Sequence, residues 1–193
     1  MNYYSLIASL PLIQLGKPPP LRLPGFRAAC DTHLDPIDRT VLADLLETGG
    51  AHSPHPFARA WRDRETEMRN AIVRFRAKTR GMSPDRHLRP QDGARVFIQA
   101  GVAEAFQAPN PLERERALDR LRWRVLEELA GLDPFAPEAV FAYGLRLQLA
   151  ERWTLFDEAA GTALLETAAA AATESETASA PPRAGLPGEP ITS

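Results

Sequence analysis

Apolar residues recur at steps of three and four through most of the chain, and no hairpin of alternating strands can be read from it. Asp35-Pro36 reads as an N-cap with proline at the first helical position. Ile37, Val41, Leu42, Leu45 and Leu46 follow with helical spacing, and Gly49-Gly50 closes that helix. The spacing predicts a long helix over 57–80, with Phe57, Trp61, Met68, Ile72 and Phe75 on its apolar stripe and Gly81 as its stop. A shorter helix over about 91–106 carries Val96, Phe97, Val102 and Phe106, weakened by Gly93 and Gly101. Asn110-Pro111 opens a helix with Leu118, Leu121, Val125, Leu126 and Leu129 on one face, ended by Gly131. The last helix starts near Pro137 and holds Phe141, Leu145, Leu149, Trp153, Phe156, Ala160 and Leu164 in register, with Gly161 as a bend point. Residues 3–10 are expected to be one short helix. Residues 17–20 and Pro24 are expected to be loop, because consecutive prolines exclude helix and central strand.

The pattern therefore predicts an all-α fold, a single helical domain of about five to six helices over residues 1–170. From Ala171 onward the composition turns to Ala, Ser, Thr, Glu, Pro and Gly. Such a segment buries too little apolar surface to offset its ordering entropy, so residues 171–193 are expected to be a disordered tail.

Composition narrows the function classes. Hydrophobic residues make up 44% and charged residues 25%, ordinary for a globular chain. A net charge of -2 argues against nucleic-acid binding over the whole surface. The charge is uneven, however: residues 59–95 hold 11 Lys or Arg against 5 acids, and residues 151–193 hold 2 Arg against 7 acids. Cys30 is the only cysteine, which fits a reducing compartment, and a small buried thiol is its expected role. The apolar N-terminal stretch lacks a preceding basic residue and is interrupted by Pro11, against a signal peptide. No run of 18 apolar residues occurs, so contact with a membrane is expected only through another protein.

Candidate chemistry is sparse. His52 and His55 have a spacing some metal sites use, but no further ligands can be named, and exposed loop histidines are the plainer reading. Glu65 and Glu67 stand two apart on a helix, so they point to different faces and cannot act as a carboxylate pair. Nucleophile-elbow, zinc-protease, phosphate-loop and dinucleotide motifs are all missing from the sequence. No catalytic, cofactor-binding or metal-binding residue is therefore expected. Trp61, Trp153 and Phe156 fall on helical stripes and read as core.

The long basic helix is the most informative segment. Arg62, Arg69, Arg76 and Arg80 recur at steps of seven, seven and four beside the apolar stripe, with Arg59, Arg74 and Lys78 nearby. Three readings compete: a solvated face tied by pairs such as Glu65 with Arg69, a docking face for an acidic partner helix, and a phosphate-binding surface. Asn70 is a poor helix former in mid-helix. Its amide is placed either to grip a neighbouring backbone, in a small polar cluster with Glu67 and Arg74, or to face water.

Glu67, Asn70, Arg76-Ala77-Lys78 and Gly81 stand in an order that resembles the C-type subunit of V-type ATPases, named d in the eukaryotic complex. The opening Tyr3-Tyr4-Ser5-Leu6-Ile7-Ala8-Ser9-Leu10-Pro11 is similar to an uncharacterised bacterial family often encoded within V-type ATPase operons, where the C-type gene would be expected. So are Glu151-Arg152-Trp153, Phe156-Asp157-Glu158 and Gly161. The resemblance implies an all-helical protein, part of a helical funnel, without catalysis of its own. It implies partners in the central shaft and the proteolipid ring, and a cytoplasmic location, peripheral at the inner membrane through the ATPase. Arg62, Arg69, Asn70, Arg76 and Lys78 are the expected partner-binding residues. The alternative is a nucleic-acid-associated regulator using the arginine-rich helix. The chain is much shorter than a full C-type protein, so the resemblance implies that it would hold only part of such a funnel.

Overall fold

In the computed structural model, residues 3–91 and 93–154 are described, and they form seven α-helices and one 3-10 turn with no strand among them. The helices are α1 (Tyr4–Ser9), α2 (Leu23–His33), α3 (Pro36–Thr48), α4 (Pro56–Arg80), α5 (Val96–Ala105), α6 (Pro111–Ala130) and α7 (Pro137–Thr154). The 3-10 turn, Asp85–His87, lies between α4 and α5. The all-α expectation holds. The continuation of the last helix to Leu164, the bend at Gly161, the packing of Phe156 and the tail from Ala171 lie outside the described residues.

Several ends form as local chemistry dictates. The Asp35 carboxylate accepts from the Asp38 amide at 2.9 Å, and the Asn110 amide oxygen accepts from the Glu113 amide at 2.8 Å. Both caps are followed by proline at the start of the helix. Gly49 and Gly81 close α3 and α4 in the left-handed conformation.

Two expectations are corrected. Pro24 is not loop: it sits in the first turn of α2, a helix the proline count concealed. α5 begins at Val96, five residues later than expected. The corrected helices share a cause, because neither has a side-chain cap at its own N-cap residue. The Leu23 amide at the start of α2 instead donates to the Glu151 carboxylate of α7 at 2.7 Å. The Arg95 amide before α5 donates to the Glu67 carboxylate of α4. Each glutamate does from another helix what a capping-box residue does from within its own.

The core lies where α6 packs against α4, α5 and α7, and where α7 in turn carries α2 and α3. Phe141 is fully buried at the centre, edge-on to Phe57 with ring centroids 5.6 Å apart. Two glycines permit the closest helix approaches. A Cβ at Gly144 would stand 2.9 Å from the Phe26 ring, and one at Gly101 would stand 2.8 Å from Leu121. Gly101 thus brings α5 onto α6 rather than weakening it. Within α5, Val96 is exposed, and Ile98, Val102 and Ala105 form the buried face. Tyr3 fastens the N-terminal segment: its hydroxyl donates to Asp38 at 2.6 Å and its amide donates to the Phe135 carbonyl at 2.8 Å.

Candidate functional site

The 25 residues of α4 present two polar sides with opposite fates. On one side, Glu67 and Asn70 are buried. Asn70 donates to the Arg89 carbonyl at 2.8 Å and to the Gln91 side chain at 2.5 Å, and accepts from the Arg89 amide at 3.0 Å. Both backbone groups of Arg89 are thereby satisfied by one amide, as a neighbouring strand would do. Glu67 receives the Arg95 amide, and its second oxygen pairs with the Arg95 guanidinium at 3.0 Å. Asn70 therefore grips a neighbouring backbone, in the strap of residues 88–91 and 93–95 that Glu67 also holds. Arg74 takes no part and is exposed.

The other side of α4 borders an open trough of about 930 Å³. Its wall from α4 runs Arg62, Glu65, Thr66, Arg69, Val73 and Arg76, with Ile72 beside Val73, which is the three-and-four repeat of one helix face. That stripe spans about 21 Å at 1.5 Å per residue. The facing wall comes from α7 through Leu145, Gln148, Leu149 and Arg152. Arg122 of α6 lies between, Arg89 reaches in from the strap, and the last turn of α3 contributes Leu45 to Gly49.

Six arginines and two glutamates line the trough. The glutamates are already engaged, Glu65 with Arg122 at 3.0 Å and Glu47 with Arg27 at 3.0 Å. The arginines divide. Arg62 donates to the carbonyls of Gly50 and Ser53 and ties down the α3–α4 loop. Arg122 and Arg152 both pair with Asp119, a fully buried carboxylate on α6 that also accepts from the Trp153 indole at 2.7 Å. Burial works against the charge on Arg122, but Glu65 and Asp119 outweigh it and hold its pKa above the ordinary guanidinium value. Arg69 and Arg89 are exposed and have no hydrogen-bonding or ionic partner for their guanidiniums among the described residues. Arg76 is exposed and lies over the Phe106 ring at 5.9 Å.

The structure thus brings Arg62, Arg69 and Arg76 to one trough and separates them from Asn70, which is consumed inside the fold. Lys78 is exposed in the last turn of α4 and does not line the trough. The pairing expected between Glu65 and Arg69 is replaced by Glu65 with Arg122. Arg89, Arg122 and Arg152 were not expected at the site, since they come from three separate segments. Arg152 alone had a signal, lying within the Glu151-Arg152-Trp153 motif. That motif has a physical function: Glu151 caps α2 while its two successors hold Asp119.

Other candidate positions resolve individually. His52 is exposed beside Asp44 at 3.0 Å, whereas His55 is half-buried, accepts from the Phe57 amide as the N-cap of α4 and meets the Phe141 ring edge-on. The two histidines share no ligand geometry, and no group of three or more His, Cys, Asp or Glu able to hold a metal occurs among the described residues. Cys30 is buried, and burial pushes its thiol up to about 12. Trp61 is buried as expected. Trp153 departs from a plain core role: it is half-buried, with the Arg116 and Arg152 guanidiniums near its ring at 5.6 and 5.7 Å. No described helix is long and apolar enough to cross a membrane.

Fold and site together define a helical protein with a cationic trough open on one side. Residues 95–169 match the model of a family described as a protein of unknown function (DUF2764), a stretch that includes α5, α6 and α7. No curated protein and no solved structure matches the chain.

Proposed function

We propose that this chain is a non-catalytic subunit or accessory factor of a V-type ATPase, acting in coupling or assembly between the central shaft and the proteolipid ring. One observation carries the reading: the residues that resemble the C-type protein of that complex lie on a helix whose Glu67 and Asn70 lock its position while Arg69 and Arg76 stay exposed on an open trough. A locked helix with exposed cations is what a docking face needs, because binding then orders little that was loose before. The chain reaches the inner membrane, in this reading, by holding on to other subunits.

The test is affinity purification of the tagged full chain from native membranes. Shaft and ring subunits should co-purify with the wild type and be depleted with the Arg69→Glu/Arg76→Glu variant. Recovery of neither with the wild type would overturn the proposal. The six arginines of the trough also favour a second reading, a nucleic-acid-associated regulator. That reading requires the chain to shift DNA or RNA at low salt, with affinity falling steeply as salt rises.

A further inference from the structure

We infer that the trough seats one acidic amphipathic helix of a partner, which rests on the proposed function and deepens it by giving the partner's chemistry. The trough has the shape of a helix seat. α4 offers the trough positions 62, 65, 66, 69, 72, 73 and 76, and α7 offers 145, 148, 149 and 152. Both helices rest on α6, and the space between their ridges is the kind of groove a third helix fills.

Polarity is divided within the trough. Ile72, Val73 and Leu149 are half-buried and apolar, whereas Arg69, Arg76 and Arg89 are exposed. A helix with leucines at three-and-four spacing would cover the first set. Its flanking aspartates and glutamates would meet the second, and Arg69 and Arg76 stand one heptad apart, about 10 Å along α4.

The charge of the lining also favours an acidic partner. Both glutamates of the trough are already paired, so an incoming carboxylate meets no unpaired acid from the lining. Nucleic acid fits less well, because among the described residues the one aromatic side chain on the lining is Trp61, which is buried and offers no stacking face.

The test uses the full chain and fluorescence anisotropy with four labelled probes. These are an acidic amphipathic peptide of about 18 residues, or five turns; a peptide of the same composition with its pattern scrambled; a polyglutamate; and a single-stranded oligonucleotide. The patterned peptide should bind at least tenfold tighter than each of the other three. Arg69→Glu/Arg76→Glu should weaken it at least tenfold, and so should Arg89→Glu, which changes a different segment. All replaced side chains are exposed, and an unchanged circular dichroism melt confirms folding. Equal binding of polyglutamate or oligonucleotide would make the trough a general polyanion cleft and overturn the inference. So would absence of peptide binding, or peptide affinity indifferent to both variants. Self-association of the wild type that the double variant abolishes would assign the trough to a second copy, again against it. Peptide binding does not depend on which complex supplies the helix. Failure here with intact co-purification of the ATPase subunits is therefore distinguishable from failure of the proposed function.

Discussion

The two sides of α4 use polar residues in opposite ways. On the strap side, one carboxylate and one amide are withdrawn from water and every partner they need is supplied by residues 89–95. On the trough side, the Arg69 and Arg76 guanidiniums are exposed, without a hydrogen-bonding or ionic partner among the described residues and with only an aromatic ring near Arg76, beside half-buried Ile72 and Val73. α6 joins the two uses, since its buried Asp119 pairs with Arg122 and Arg152 of the trough. Buried polar groups tolerate no loss of partner, whereas exposed charges add little to stability. The strap side should therefore matter for folding and the trough side for binding.

The largest break in that comparison should come at Asp119. Asp119→Ala leaves Arg122 short of one carboxylate and removes the carboxylate that Arg152 and the Trp153 indole share, and loss of one member of a buried ionic group costs about 3–5 kcal/mol. Thermal denaturation should show a melting temperature lower by roughly 10 °C, since ~1 kcal/mol moves a domain of this size by about 2–4 °C. A drop under a degree or two would show that the network is dispensable. Next comes Asn70→Ala, which strands the amide and carbonyl of Arg89 and should cost about 2–4 kcal/mol. Hydrogen exchange sharpens this one: the Arg89 amide should lose its protection, while amides of α6 should lose protection only in proportion to the fall in global stability. Trp153→Phe keeps an aromatic ring, although a smaller one, and removes the donor to Asp119, so about 1–2 kcal/mol is expected from urea denaturation.

A smaller effect belongs to acid. The Thr48 hydroxyl, working against the burial of the carboxyl, and then His52 and the Ser53 amide hold Asp44 down to about 2. A depressed carboxyl stabilises above its unfolded value of about 3.9. The contribution is fully present above pH 4 and is lost as pH falls from there through about 2. Asp44→Asn should flatten the stability profile in that window and leave its shape above pH 5 unchanged. Smallest of all, Arg69→Ala and Arg76→Ala should each change stability by less than about 0.5 kcal/mol, while weakening the patterned peptide several-fold by anisotropy. A large loss of stability from either would erase the distinction between the two sides.

The same physics explains what could be read from the sequence. α3 and α6 carry their caps within four residues, at Asp35 and Asn110, so both were legible. α2 and the start of α5 were not, because their amides are met by Glu151 and Glu67 from distant helices. Asn70 was readable as a residue out of place in mid-helix, but the strap that satisfies it was not. At the trough, the heptad steps of Arg62, Arg69 and Arg76 announced one wall. Nothing in the order of residues placed Arg89, Arg122 and Arg152 opposite them, since that depends on how α6 and α7 pack. Gly144 was equally silent, because its small size matters only once Phe26 and Leu42 arrive against it.

The N-terminal part of the molecule closes onto its far end. The Tyr143 hydroxyl holds the Pro11 carbonyl across 132 residues, and the Glu151 cap reaches Leu23 across 128. A ribosome adds about 5–20 residues per second, so the first helices wait on the order of ten seconds for partners that do not yet exist. During that interval Phe26, buried in the finished protein, lacks the Tyr143 ring of α7 that meets it at 5.3 Å. The nascent chain would then present an apolar N-terminal segment to the cell's chaperones until α7 emerges.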